Sequence, residues 1–121
     1  MGLVVYFKPH EFACKCGCGA GLSQMEKALL WRLNYARKLA GIPFVITSAL
    51  RCELHNRRVG GSKTSSHLYG FAVDIRTKNK FVQQRILKAL KAAGFLRIGV
   101  AKKFIHVDVD YNKPPANWKY S

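Results

Sequence analysis

The segment Phe104-Ile105-His106-Val107-Asp108-Val109 alternates apolar and polar residues with a period of two, the pattern of a half-buried strand. As a strand it turns Ile105, Val107 and Val109 toward a core and presents Phe104, His106 and Asp108 together on the opposite face. A second segment, Ala72-Val73-Asp74-Ile75, sets a carboxylate inside an otherwise apolar strand. Burying that carboxylate unpaired costs on the order of several kcal/mol, so Asp74 requires a cation, either a metal ion or an arginine. His67 precedes it in the pattern His67-x6-Asp74, which is not the i, i+4 spacing of a helical zinc motif. This spacing needs a turn followed by a strand, with Gly70 supplying close approach or an unusual backbone angle.

The chain has 4 histidines and 6 acidic residues among 121. Two of each fall within 65–75 and 104–109, which points to a site rather than to chance. Two imidazoles and one carboxylate form the ligand set of a catalytic zinc that keeps one position open for water. His67, Asp74 and His106 are therefore the candidate metal ligands, with Zn2+ as the expected cofactor. Asp108 and Asp110 either join the site or sit as solvated strand-edge residues.

The length fits a single domain, 1–121, with a Cys/Gly-rich N-terminal segment over 1–21 and a Pro-containing tail over 112–121. Ser23-x-x-Glu26 has the form of a capping box, and the apolar spacing after it predicts a helix over 23–40 that closes at Gly41. Pro43–Ser48 reads as a buried strand and 53–58 as a short helical turn. Phe71–Ile75 reads as a strand, and a helix beginning at Asn79 or Lys80 ends at Gly94. Leu96–Val100 and Phe104–Val109 are predicted as a hairpin around Ala101-Lys102-Lys103, and Trp118 is expected to pack back on the body. The order α, β, loop, β, α, β, β gives an α+β fold, a small antiparallel sheet with helices packed on one face.

The 21 Lys and Arg give a net charge of +15. Such a field attracts polyanions, either nucleic acid bound without sequence preference or the anionic polymers of a bacterial envelope, unless it is simply a solvated surface. No apolar run approaches the ~20 residues that span a bilayer. The start, Met1 to Pro9, lacks the features of a signal peptide, and Tyr6 stands where a myristoylation site wants Ser or Thr. The expectation is synthesis in a bacterial cytoplasm. Cys14, Cys16, Cys18 and Cys52 leave three readings open: a structural tetrahedral zinc despite the unusual C-x-C-x-C spacing, a disulfide from the cluster to Cys52, or free thiols.

Ser66-His67-x-x-Gly70-x-Ala72-x-Asp74-Ile75 followed by Phe104-x-His106-x-Asp108 resembles the zinc D-Ala-D-Ala carboxypeptidases, metallopeptidase family fifteen, subfamily A. Their relatives include phage L-alanyl-D-glutamate endolysins and share the fold of hedgehog signalling domains. Ile46–Arg51 is similar to the family's strand ending in Ser-x-x-Arg, and Asn56 with Val59-Gly60-Gly61 is similar to the loop before the first ligand. The resemblance covers about residues 12–118.

The resemblance implies zinc held by His67, Asp74 and His106. It also implies peptidoglycan stem peptides as substrate, cut beside a D-amino acid, with Arg51 binding a substrate carboxylate or polarising the scissile carbonyl. Arg51 could instead pair with Glu53 or Asp74. Many relatives carry a catalytic acid three residues before the last zinc histidine, where this chain has Lys103. Asp108 is therefore the expected general base; the alternative has Asp108 orienting His106, with Glu53 or water transferring the proton. Tyr69, Phe71, Phe104 and Tyr111 are candidates for a substrate groove or for ordinary packing. The whole suggests a monomeric, phage-type lytic peptidase acting at the cell wall or periplasm. The alternative is an inactive basic module, on the same fold, that binds wall polymer or nucleic acid.

Overall fold

The computed structural model describes residues 6–120. The expectations resting on residues 1–5, the absent signal peptide and the missing myristoylation site, fall largely outside that range. Five strands form one sheet: β1 (Val45–Ser48), β2 (Ala72–Arg76), β3 (Arg97–Val100), β4 (Phe104–Asp108) and β5 (Ala116–Lys119). Their spatial order is β1-β2-β4-β3-β5. The first three pairings are antiparallel, and β5 lies parallel to β3. Three helices complete the α+β fold: α1 (Lys27–Ala40), α2 (Glu53–Arg58) and α3 (Lys80–Ala92).

The period-two pattern builds the core. Ile75, Ile105 and Val107 are fully buried and join Leu29, Leu33 and Ala36 of α1 and Ile86 and Leu90 of α3 in one cluster. Each such side chain contributes roughly 1.5–3 kcal/mol on burial, which fixes the register of the central strands. The same alternation turns Asp74, His106 and Asp108 to the face away from that cluster. Among the described residues, no helix is long and apolar enough to cross a membrane.

Two expectations are corrected. First, α1 starts at Lys27, not at residue 23, because the Glu26 N–H donates to the Gly70 carbonyl at 2.9 Å. That tertiary bond makes Glu26 the cap, its carboxylate accepting from the Ala28 N–H at 3.5 Å, while the Ser23 hydroxyl donates to Gln24 Oε1 at 3.0 Å instead of closing a capping box. Second, the Pro-containing tail holds a strand that was not expected, β5. The Ala116 and Tyr120 N–H groups donate to the Leu96 and Val100 carbonyls at 3.0 and 2.9 Å, adding β5 at the sheet edge. Trp118 lies directly over Gly99, where any Cβ would run into the indole. The expected antiparallel sheet is thus mixed at this one edge.

Gly70 joins these parts. Its φ is +73°, and a Cβ there would collide with the Gln24 carbonyl oxygen, a backbone atom that cannot move aside cheaply. Gly70→Ala should therefore lower unfolding stability by at least about 2 kcal/mol, from left-handed strain plus the clash. Urea denaturation measures it, and an unchanged midpoint would contradict the assignment.

Candidate metal centre

Asp74 of β2 stands directly opposite His106 of β4 in the antiparallel register. A cross-strand pair of this kind brings the two side chains into contact on one face. His67 arrives from a 3-10 turn, Ser66–Tyr69, whose preceding Ser65 hydroxyl accepts from the His67 N–H at 3.3 Å. The turn ends at Gly70 in the left-handed region, which redirects the chain into β2. This is how the six-residue spacing between His67 and Asp74 becomes a contact.

One oxygen, Asp74 Oδ1, lies 2.9 Å from His106 Nδ1 and 3.3 Å from His67 Nε2. The three ligand atoms all fall within 4.8 Å of one another. His67 Nδ1 lies 2.7 Å from the Ala49 carbonyl oxygen and must donate to it, since a carbonyl only accepts. In a neutral ring, Nε2 then carries a lone pair that faces a carboxylate oxygen. Two acceptors so placed are reconciled only by a cation between them, a proton or a metal ion. The N, N, O donor set and its preset histidine tautomer fit a divalent metal.

Arg51 supplies a fixed positive charge at the edge of the set. Its Nη2 lies 3.9 Å from Asp74 Oδ2, Nε donates to the Ser48 hydroxyl at 3.3 Å, and Nη1 donates to Asn56 Oδ1 at 3.1 Å. Of the two partners considered for it, Asp74 and Glu53, the structure places it beside Asp74. Asn56 is buried on α2 and is itself held by donating Nδ2 to the Ser62 carbonyl at 2.8 Å. Gly61 permits this arrangement, because a Cβ there would collide with the Asn56 amide and the guanidinium. The sequence reading noted Asn56 and missed its role as the residue that aims Arg51.

Asp108, expected either as the base or as the residue that orients His106, has both carboxylate oxygens engaged. It is 1% exposed; Oδ2 lies 2.7 Å from His106 Nε2, and Oδ1 accepts from Arg97 Nε at 2.8 Å and from the Asp110 N–H at 3.1 Å. Both oxygens are engaged, and the contact to His106 is on the ring nitrogen turned away from Asp74. Asp110 is likewise no solvated edge residue: it is buried, accepts from the Ser66 hydroxyl at 2.7 Å and pairs with Lys113 at 3.4 Å. Lys103 is exposed. Glu53 is exposed and lines an open cleft with Arg51, Asn56, Lys63, Leu68 and Tyr69.

Burial alone would discharge His106, but the hydrogen bonds and charges of Asp108 and Asp74 outweigh it and raise its pKa above the usual histidine value. Burial also opposes ionisation of Asp74, yet the two histidines hold it well below the usual carboxylate range. Asp108 moves down as well, burial being overcome by His106, the Asp110 N–H and Arg97. Both neighbouring carboxylates therefore favour the protonated form of His106.

Trp118 of β5 was not foreseen as part of this neighbourhood. Its ring centroid lies 5.6 Å from that of His106, with the Arg97 guanidinium 5.1 Å from the indole on the same strand pair. Tyr120 follows at 6.3 Å from Trp118 and 5.3 Å from Phe104. The groove expected of Tyr69, Phe71, Phe104 and Tyr111 is thus divided. Phe104 stacks with Tyr120, while Phe71 contacts Tyr69 and Tyr111 at 6.1 and 5.6 Å.

A sheet face carrying a histidine and an aspartate, met by a second histidine from the turn before β2 and flanked by an arginine, has the make-up of a metal-dependent hydrolase. The chain matches the family model of Peptidase M15 over residues 5–108 and belongs to that family of metallopeptidases. No curated protein matches it. The family match ends with β4, so β5 and its aromatic residues lie beyond it.

If Asp108 orients His106, Asp108→Asn should weaken metal affinity about 10–100-fold, as removal of such a partner does. Competition with a chromophoric chelator measures this, and unchanged affinity with lost turnover would return Asp108 to the role of base. A pH prediction follows from the same shifts. The raised His106 contributes stability that is complete below about pH 6.5 and is lost as pH rises through its folded value. The depressed Asp74 and Asp108 contribute stability that is complete above about pH 3.9 and is lost as pH falls through theirs. Thermal unfolding in excess chelator should therefore show greatest stability between about pH 4 and about pH 6.5. A midpoint that climbs steadily from that window into the alkaline range would contradict the upward shift of His106.

Proposed function

We propose that this protein is a zinc-dependent peptidase that hydrolyses D-amino-acid-containing stem peptides or cross-links of bacterial peptidoglycan, in the manner of an endolysin. The observation that carries the proposal is the convergence of His67, Asp74 and His106 on the open sheet face of an M15 chain. A zinc ion held by these three residues supplies Lewis acidity, which acidifies a water and polarises a carbonyl. The protein's own groups do the rest. The Ala49 carbonyl fixes the tautomer of His67, and Asp108, itself held by Arg97, orients His106.

Arg51, aimed by Asn56, is placed to grip a substrate carboxylate or to stabilise the developing oxyanion. With Asp108 engaged, Glu53 is the exposed carboxylate on the cleft beside Arg51 and takes over proton transfer. Glu53→Gln should then lower kcat by about 100-fold or more without loss of metal. Single-turnover kinetics on a soluble stem peptide measures this, and full activity would leave the proton to solvent.

The surface charge supports an anionic partner. Of the six carboxylates, Asp74, Asp108 and Asp110 are drawn into the site, and only Glu53 among the rest is exposed. The outer surface is therefore almost uniformly cationic, which suits wall polymers at the cell wall or periplasm and also permits non-specific attraction to nucleic acid. Raising salt should weaken retention on purified walls more than it slows cleavage of a small soluble peptide, because screening shortens the reach of surface charge.

The deciding experiment is mass spectrometry of muropeptides after digestion of purified walls, with and without a chelator. New amine and carboxyl ends should appear only with metal, and His67→Ala or His106→Ala should abolish both metal binding at this site and cleavage. Zinc bound at this site with no cleavage across several wall chemotypes would overturn the proposal. It would favour a wall-binding module, a reading that the engaged Asp108 and the lysine at position 103 allow.

A further inference from the structure

Outside this centre lies a second convergence of potential ligands. The Sγ atoms of Cys14, Cys16, Cys18 and Cys52 all lie within 4.8 Å of one another. Cys16 Sγ is 3.4 Å from both Cys14 Sγ and Cys52 Sγ. A tetrahedron of Zn–S bonds near 2.3 Å has edges of about 3.8 Å, so four sulfurs at this spacing have the dimensions of a filled site. A disulfide would draw one pair to about 2.05 Å and dismiss the others, whereas here one sulfur sits among its neighbours.

The backbone is built around the cluster. Gly17 and Gly19 have φ of +81° and +91°, and the Cys14 N–H donates to the Ala20 carbonyl at 2.9 Å, closing a tight loop. These two left-handed glycines let the C-x-C-x-C spacing turn its thiols toward one another without the usual C-x-x-C knuckle. Two backbone donors aim at sulfur: the Cys52 N–H at Cys14 Sγ, 3.3 Å, and the His55 N–H at Cys52 Sγ, 3.4 Å. Such donors stabilise thiolate charge and orient metal ligands.

We propose that Cys14, Cys16, Cys18 and Cys52 bind a structural zinc ion as a tetrathiolate site, separate from the His67, Asp74 and His106 set. Thiolates select soft or borderline metals, and four of them close the coordination sphere, leaving no position for substrate. The ion clamps the N-terminal arm to the segment that holds Arg51, since Cys52 follows Arg51 directly in the chain. Between residues 13 and 26 the arm has a single short 3-10 turn, so a cross-link there substitutes for regular structure. The two negative charges of a zinc tetrathiolate are compatible with a chain of net charge +15.

The test uses the reduced full chain, purified without chelator. Stepwise titration with an organomercurial, with a metal-sensitive dye present, should release one zinc per four thiols modified. The His67→Ala/His106→Ala double variant should still release that zinc, and its cobalt-substituted form should show an intense thiolate-to-metal charge-transfer band. Cys16→Ser/Cys52→Ser should lose the band while the His67 site still takes up metal. Four thiols reacting in the wild type with no zinc released, or a freshly purified chain lighter by the hydrogens of a disulfide, would overturn the proposal even if the cysteine variants fail to fold.

Discussion

Asp74 and His106 face each other across the central strand pair, and the rest of the molecule is arranged so that this contact is tolerated. A carboxylate in an apolar strand is stable only if polar partners surround it. His106 lies opposite, His67 reaches in from the 3-10 turn, and Arg51 closes the side. Each of these has its own support, from Asp108, the Ala49 carbonyl and Asn56 respectively. The network has a direction: polar groups at its edge fix the two imidazoles and the guanidinium, and these hold Asp74. Polar clusters of this kind are worth building only when every member is satisfied, and no buried polar side-chain atom among the described residues lacks a partner.

The hydrophobic core makes the contact possible from beneath. Ile75, Ile105 and Val107 lock β2 and β4 in one register, and a slip of one residue would turn Asp74 and His106 into the core. The register energy therefore comes from residues that never touch a substrate. On the other side of β4, Gly99 stands opposite His106 and Trp118 covers the space that its missing side chain leaves. The parallel strand β5 is the means of delivering that indole, and it draws the aromatic row of Trp118 and Tyr120 along the edge of the site.

Much of this was legible in the sequence, for a physical reason. Periodicity reports which face a residue takes, and it placed Phe104, His106 and Asp108 together and away from the core. Periodicity does not report partners. Asp108 was seen on the correct face with two tasks open, base or support of His106, because its engagement with Arg97 depends on the β3–β4 register and on which ring nitrogen of His106 it meets. The start of α1 was misjudged because one backbone bond to Gly70, distant in sequence, outranks a local capping pattern. β5 left no signal at all: four residues with alternate exposure are held by backbone bonds and by the absence of a side chain at Gly99.

Residues 49–52 gather these constraints into one short segment. The Ala49 carbonyl sets the tautomer of His67, the Arg51 N–H donates to the His67 carbonyl at 3.1 Å, the Arg51 guanidinium borders Asp74, and Cys52 belongs to the thiol cluster. The segment follows β1 directly and precedes α2, so both ends are held by regular structure. A displacement of a few tenths of an ångström there would disturb the His67 tautomer, the Arg51 guanidinium and the thiol cluster together. Rigidity at this point matters more to the site than rigidity at its rim, because a preorganised centre depends on the groups that orient its ligands as much as on the ligands. Cys52, a member of the thiol cluster, follows Arg51 directly in the chain, so the cluster and the guanidinium beside Asp74 share one short segment.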